Sequence, residues 1–181
     1  MTKTQMKAIV NQAIEEKKLV NFYFRFDPTY YNAIPLAAND KLFLLANEDD
    51  FILDGFSVFR FKDLKKLRIK NDKCDDILRR EGIIDTLKVP EIDISSWQTI
   101  FEGLKLMGQN IIVEKQSLDE DEWEFPIGRI ERVYKNFAYI RHFDADGIWQ
   151  DEPYKIPYTE ITNVKFESRY VTVFSKYIPE L

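Results

Sequence analysis

The residues best suited to catalysis lie in one short segment, IRHFDADG, which contains the single histidine of the chain. His142 is followed by Asp144 and Asp146, so the segment could pair an imidazole with a carboxylate for general acid–base chemistry. The sequence has no Gly-x-Ser-x-Gly motif, no Walker loop and no His-Glu-x-x-His motif. Because a single histidine near a strand end is usually a surface residue, we predict no catalytic residue, no metal site and no cofactor. An enzyme built around His142, Asp144 and Asp146 is the last of three functional hypotheses, after the two binding functions described below.

A run of basic side chains follows Val58 in the stretch VFRFKDLKKLRIK. If Leu64 and Leu67 point inward from a strand, the basic side chains between and after them point outward, where they could neutralise phosphate groups. An outward tyrosine on the first strand could add base stacking. The predicted nucleic-acid contacts are Tyr23, Arg25, Arg60, Lys66, Arg68 and Lys70. The alternative interpretation is a solvated edge strand whose lysines prevent pairing with another sheet.

A run of acidic side chains surrounds a tryptophan in the stretch SLDEDEWE. Such a segment could bind a basic protein, with the indole as an aromatic anchor. The predicted protein contacts are Asp121, Glu122, Trp123 and Glu124. The carboxylates could also hold a hard cation such as calcium, but the spacing and the glycine of an EF-hand loop are missing. The alternative interpretation is a flexible hairpin loop without a function of its own.

Charge is distributed unevenly along the 181 residues, whose formal net charge is −5. Residues 1–88 carry a net charge of +2 and residues 89–181 a net charge of −7, so the two halves offer different surfaces to partners. The overall negative charge disfavours a general polyanion binder. A single cysteine, Cys74, excludes an internal disulfide. Because the sequence also shows no export signal and no apolar run of bilayer length, we expect a cytoplasmic protein without a membrane partner.

The hydrophobic pattern indicates that the same set of elements occurs twice. Apolar residues at helical spacing define a helix over Met6–Ala13, and the same spacing recurs 91 residues later over Trp97–Leu104. The predicted N-caps are Thr4 for the first helix and Ser95, with Gln98 in a capping box, for the second. Gly108 is predicted to end the second helix. The numbering offset between matching residues of the two halves changes only in loops, which indicates a duplicated unit. The alternative is one larger α+β domain with two similar meanders.

Each repeat is predicted to contain a helix followed by five short antiparallel strands. The strands are expected near residues 18–26, 32–38, 41–47, 51–61 and 65–70, and again near 110–116, 127–134, 136–143, 153–157 and 161–175. Because open edges of such strands invite aggregation, we predict that each set closes into a small barrel. The predicted domains are residues 1–72, a linker helix over 73–90, and residues 91–181.

This arrangement resembles the Sm-like family of small SH3-like barrels. The residues at the spacing of the two family motifs are Gly128, Ile130 and Phe137 in the second repeat, and Asp40, Phe43, Phe59, Arg60, Leu64 and Leu67 in the first. The resemblance implies a mainly β fold with helices (α+β), made of two tandem SH3/Sm-like five-stranded barrels that are each preceded by a helix. The residues of the family's RNA pocket are not retained, because Phe61 replaces a glycine and Leu44 and Ala138 replace an asparagine. The resemblance therefore implies a barrel more directly than it implies RNA binding.

The leading functional hypothesis is a non-enzymatic protein-interaction module that binds or masks a basic protein through the acidic half of the chain. The alternative is Sm-like RNA binding through the basic strand of the first barrel. That alternative requires Arg60, Lys66 and Arg68 to lie on one face together with an aromatic residue such as Tyr23. A homodimer is compatible with either hypothesis, because small barrels often associate through their edge strands.

Overall fold

The computed structural model describes residues 1–180, except for the side chain of Glu120. The chain forms two compact units, Met1–Glu91 and Ile92–Leu181. Each unit contains a helix followed by five strands. Among the described residues, no helix has the length and apolar character needed to cross a lipid bilayer.

The first unit combines two helices with a five-stranded antiparallel sheet. Its elements are α1 (Lys3–Glu15), β1 (Val20–Phe24), β2 (Tyr31–Ala38), β3 (Leu42–Asp49), β4 (Ile52–Arg60), β5 (Leu64–Ile69) and α2 (Lys73–Arg80). The strands lie in the order β5–β1–β2–β3–β4. Thr2 and Gln5 form the capping box at the start of α1, so the predicted cap at Thr4 is wrong by two residues. A 3₁₀ turn over Phe61–Asp63 connects β4 to β5.

A stack of phenylalanine side chains forms the core of the first unit. The period-two pattern of β1 places Phe22 and Phe24 inward, and both are buried. The ring of Phe24 lies 4.1 Å from that of Phe59, and the rings of Phe43 and Phe61 are 4.6 Å apart. The apolar face of α1 is buried against this stack. Burial of these large aromatic side chains stabilises the unit.

The second unit repeats the same sequence of elements with a longer excursion between its first two strands. Its elements are α3 (Trp97–Met107), β6 (Ile111–Glu114), β7 (Ile127–Val133), β8 (Phe137–Phe143), β9 (Tyr154–Pro157), β10 (Asn163–Phe166) and α4 (Arg169–Phe174). The strands lie in the order β10–β6–β7–β8–β9. α3 begins at a capping box of Ser96 and Thr99, one residue later than predicted. Its predicted end at Gly108 is confirmed, because this glycine adopts a φ of 68°.

The predicted closure into two five-stranded barrels is wrong, whereas the α+β class is correct. Among the described residues, the strands of each unit form an open antiparallel sheet, in which β5 of the first unit pairs only with β1 and β9 of the second unit pairs only with β8. These two end strands are protected by charge rather than by closure. β5 exposes Lys65, Lys66 and Arg68, and β9 is four residues long with Lys155 exposed and Pro157 at its end. Lysines, prolines and short length all disfavour pairing with another strand.

The final predicted strand, near residues 161–175, is only partly correct. Its first part forms β10, whereas Arg169–Phe174 forms the helix α4. Ser168 ends the extended segment, because its side chain accepts a hydrogen bond from the backbone N–H of Val171 and thereby caps the helix. The ring of Phe174 in α4 stacks on that of Phe143 at 5.5 Å, which holds this helix against the end of β8.

Candidate interaction site

Three of the predicted nucleic-acid contacts lie together on the outer face of β1 and β5. The strand register places Tyr23 opposite Lys66 and Asn21 opposite Arg68. The ammonium of Lys66 lies 5.2 Å from the centre of the Tyr23 ring, and Arg68 donates a hydrogen bond of 3.3 Å to the side-chain oxygen of Asn21. We call Tyr23, Lys66 and Arg68 the basic strand face. It combines two exposed cations with a partly exposed ring.

The other predicted nucleic-acid contacts have different surroundings. Arg60 is buried and forms an ion pair with Asp63, so it holds the turn between β4 and β5. Lys70 is also buried, and its backbone N–H donates to the carbonyl of Leu19 at 2.8 Å. Arg25 is exposed. The requirement that Arg60 join Lys66 and Arg68 on one face is therefore not met.

The acidic segment forms a loop between β6 and β7, which we define as residues 117–125 and call the acidic loop. A pair of backbone hydrogen bonds of 2.8 and 3.1 Å between Lys115 and Glu124 closes its base. Within it, the hydroxyl of Ser117 donates to the carboxylate of Glu122 at 3.1 Å, and the backbone N–H of Glu122 donates to the carbonyl of Asp119 at 3.1 Å. The loop is thus a defined turn with a closed base.

Large apolar side chains are exposed on this loop beside its carboxylates. Trp123 is 41% exposed, Phe125 is 60% exposed and Leu118 is 79% exposed. Asp121 and Glu122, two of the predicted protein contacts, are exposed next to them. A local concentration of exposed apolar side chains within a charged rim is typical of a protein-binding surface.

Glu124, the fourth predicted protein contact, is partly buried and stabilises the base of the loop. The hydroxyl of Tyr154 donates a hydrogen bond to its Oε2 atom. The ammonium of Lys115 lies 3.4 Å from Glu124 and 3.3 Å from Glu160. The hydrogen bond to Glu160 holds the pKa of the Lys115 ammonium above its ordinary value. Glu124 therefore belongs to a network that fixes the base of the loop.

A second surface, which the sequence analysis did not identify, lies on the outer face of β7, β8 and β9. The rings of Tyr134 and Phe137 stack at 4.8 Å, and Tyr139 contacts both rings edge-on. The guanidinium of Arg132 lies 4.5 Å from the centre of the Tyr139 ring, and the ammonium of Lys155 lies 4.4 Å from that of Phe137. We call these five residues the aromatic–cationic face. Cations over aromatic rings are attracted to the negative ring face.

Side-chain alternation along β8 indicates this face only weakly. Phe137 and Tyr139 alternate along β8, which marks one side of a strand, but alternation does not say which side is outward. Lys155 is distant in sequence and joins the face only because β9 places it opposite Tyr139. The net charge of the second half also pointed away from a basic surface. The aromatic–cationic face can therefore be recognised only when the pairing of β7, β8 and β9 is known.

The three residues of the enzyme hypothesis have separate roles. His142 packs edge-on against Tyr154 with ring centres 6.0 Å apart. The carboxylate of Asp144 accepts hydrogen bonds from the backbone N–H groups of Asp146 and Ile148, and from the side-chain amide of Gln150. Asp144 thus shapes its own turn. Among residues 1–180, with the side chain of Glu120 set aside, no group of three or more His, Cys, Asp or Glu side chains is placed to hold a metal ion.

Comparison of the chain with protein-family models, with characterised proteins and with solved structures finds no significant match. The Sm-like and SH3-like resemblance drawn from the sequence gains no support from these comparisons, and the open strand order contradicts the barrels that it implied. The surfaces described above are therefore the features of this chain that bear on its function.

Proposed function

We propose that this chain is a non-enzymatic protein-interaction module of the cytoplasm that binds a basic protein partner through its acidic loop. The observation that carries the proposal is the exposure of Trp123, Phe125 and Leu118 beside the carboxylates of Asp121 and Glu122. The single cysteine supports a reducing compartment.

Each part of the loop contributes differently to binding. Contact of the exposed apolar side chains with a partner removes apolar area from water, which stabilises a complex by about 25 cal/mol for each Å² before the costs of association. The carboxylates accelerate encounter with a basic surface and disfavour acidic ones. The closed base, held by Lys115 and Glu124, limits the conformational entropy that binding must remove.

A fluorescent oligo-arginine peptide, titrated at low and at moderate salt with anisotropy as the readout, tests the proposal. Replacing Asp121 and Glu122 together by lysine should weaken binding by about tenfold or more at low salt, because attraction becomes repulsion. Trp123→Ala should weaken binding several-fold at both salt concentrations, because an apolar contact is not screened by ions.

The matched control reverses another exposed Asp-Glu pair of the same unit, Asp151 and Glu152. Asp151→Lys with Glu152→Lys makes the same change in net charge and should leave most of the affinity. Equal weakening in the loop variant and in this control would show that the peptide senses net charge alone, and would contradict the proposal. Absence of binding at low salt would also contradict it.

Nucleic-acid binding is a second candidate function, favoured by the position of Lys66 over the Tyr23 ring with Arg68 on the same face. A cation and a ring on one sheet face suit a phosphate and a stacked base. Titration of labelled single-stranded RNA and DNA pools tests it. Binding that falls with salt and is lost in Lys66→Glu with Arg68→Glu, but not in Lys73→Glu with Lys88→Glu, would favour this candidate. No binding at low salt would remove it.

A further inference from the structure

The aromatic–cationic face and the acidic loop of the second unit have complementary chemistry. The face carries Arg132 and Lys155 over aromatic rings, and Tyr134 is 42% exposed at its rim. The loop carries exposed carboxylates beside the exposed indole of Trp123. The two surfaces carry opposite charges, and both carry large aromatic rings. These features are typical of a specific interface with aromatic and arginine contacts at its centre.

The loop and the face of one molecule lie at opposite ends of β7. Tyr154 and Lys155 are consecutive residues of β9, so their side chains lie on opposite sides of the sheet. Glu124 points to the Tyr154 side, because Tyr154 donates a hydrogen bond to it, so its neighbour Phe125 points to the Lys155 side. The face lies on the Lys155 side, because Lys155 contacts Phe137. Phe125 therefore lies on the same side of the sheet as the face, but seven residues of extended chain, roughly 20 Å, separate it from Arg132, so the loop does not reach its own face.

We propose that the aromatic–cationic face receives the acidic loop of a second copy of this chain, an inference that rests on the proposed function and names the basic partner. Asp121 and Glu122 of one copy pair with Arg132 and Lys155 of the other, and Trp123 packs on the exposed ring of Tyr134. Every copy carries both surfaces, so two copies exchange their loops reciprocally. A reciprocal contact of this kind closes a two-fold dimer and leaves no surface for further addition.

Sedimentation velocity of the full chain across a range of concentrations at low salt tests the inference. The wild type should show a species of twice the monomer mass of 21.6 kDa, and this species should decline as salt screens the charges. A loop-reversed variant, Asp121→Lys with Glu122→Lys, should raise the dimer dissociation constant by about tenfold or more. A face-reversed variant, Arg132→Glu with Lys155→Glu, should do the same. The control Asp151→Lys with Glu152→Lys should remain dimeric.

The combined variant, which carries both reversals in one chain, provides the decisive comparison. In this variant a basic loop again meets an acidic aromatic–cationic face, so the dimer should return. If the two reversals acted independently, their losses of dimer affinity would add. Circular dichroism confirms that each variant is folded. A monomeric wild type at all concentrations, a dimer that neither reversal weakens, or a combined variant as monomeric as the single reversals would each overturn the inference. If the wild type is monomeric but still binds oligo-arginine through Trp123, only this inference fails. If the wild type neither dimerises nor binds oligo-arginine, the proposed function fails too.

Discussion

The two units use their aromatic residues in opposite ways. In the first unit, the phenylalanine side chains stack in the core, where Phe22 and Phe43 are fully buried with ring centres 5.5 Å apart. In the second unit, aliphatic side chains and α3 supply most of the core, whereas Tyr134, Phe137 and Tyr139 form a cluster on the outer face. Buried rings stabilise a fold, whereas exposed rings beside cations bind other molecules.

This difference supports our proposal that the second unit carries the binding surfaces. Its acidic loop and its aromatic–cationic face together expose the indole of Trp123 and the ring of Tyr134. The first unit offers a comparable feature, the basic strand face, where the ring of Tyr23 meets Lys66 and also contacts the ring of Tyr30. The following predictions separate residues that stabilise the fold from residues that face a partner.

The largest expected effect comes from the aromatic core of the first unit. Phe43→Ala should lower the free energy of unfolding by about 3–5 kcal/mol, because it removes a fully buried ring and leaves a cavity. Tyr139→Ala, on the outer face of the second unit, should lower it by less than about 1 kcal/mol. Urea denaturation of both variants measures this difference. Equal losses would show that the outer cluster is a structural element, and would remove the contrast between the units.

Arg60 should contribute to stability although the sequence suggested a ligand contact. Arg60→Ala leaves Asp63 as an unpaired buried carboxylate, so the free energy of unfolding should fall by about 3 kcal/mol. Arg68→Ala, at an exposed site, should change it by about 0.5 kcal/mol or less. Denaturation curves at neutral pH compare the two variants. A small effect of Arg60→Ala would mean that its ion pair with Asp63 is not formed in solution.

Tyr158 provides a pH test of an aromatic residue of the second unit that faces inward. Burial raises the pKa of its phenol to about 12, and its hydroxyl donates to the carbonyl of Tyr134 at 2.9 Å. Because the folded pKa lies above the unfolded value of 10, the neutral phenol stabilises the fold below pH 10, and this contribution is lost as pH rises toward 12. The loss amounts to roughly 2 kcal/mol. Tyr158→Phe should have a flatter stability profile over this range, measured by urea denaturation at each pH, and an unchanged slope would contradict the assignment.

The smallest expected effect concerns the base of the acidic loop. Glu124→Gln weakens the contacts to Lys115 and Tyr154 near the surface, so global stability should fall by less than about 1 kcal/mol. Local opening should nevertheless increase, and backbone amides of residues 117–125 should exchange hydrogen faster. Hydrogen–deuterium exchange with mass spectrometry measures this change. Unaltered exchange would show that the backbone pairing of Lys115 with Glu124 fixes the loop alone.

The elements that local pattern determines could be predicted from the sequence. The helix faces that begin at Met6 and Trp97, the strand positions and the end of α3 at Gly108 follow from periodicity and from a residue that tolerates positive φ. The open edges of the sheet could not be predicted, because the sequence pattern is the same for an open and a closed sheet, and the predicted barrels are wrong for this reason. Lysines on β5 and a proline at the end of β9 protect these strands without closure.

The candidate site was only partly predictable for a related reason. The acidic loop is contiguous in sequence, so Asp121, Glu122 and Trp123 could be identified as exposed candidates. The basic pattern predicts a ligand contact for Arg60, although an aspartate three residues later is a sign of a local ion pair. The aromatic–cationic face depends on the register that places Lys155 opposite Tyr139, and side-chain alternation alone does not fix that register.

The most direct test of the central claim is a ¹⁹F NMR titration of the chain labelled with 5-fluorotryptophan. The three tryptophans, Trp97, Trp123 and Trp149, give three resonances, and Trp123→Phe assigns the one from the acidic loop. On addition of oligo-arginine peptide, the Trp123 resonance should shift while that of Trp97, which is buried against the sheet, remains in place. Binding of the peptide with no change at Trp123 would contradict the claim that the acidic loop is the partner-binding surface.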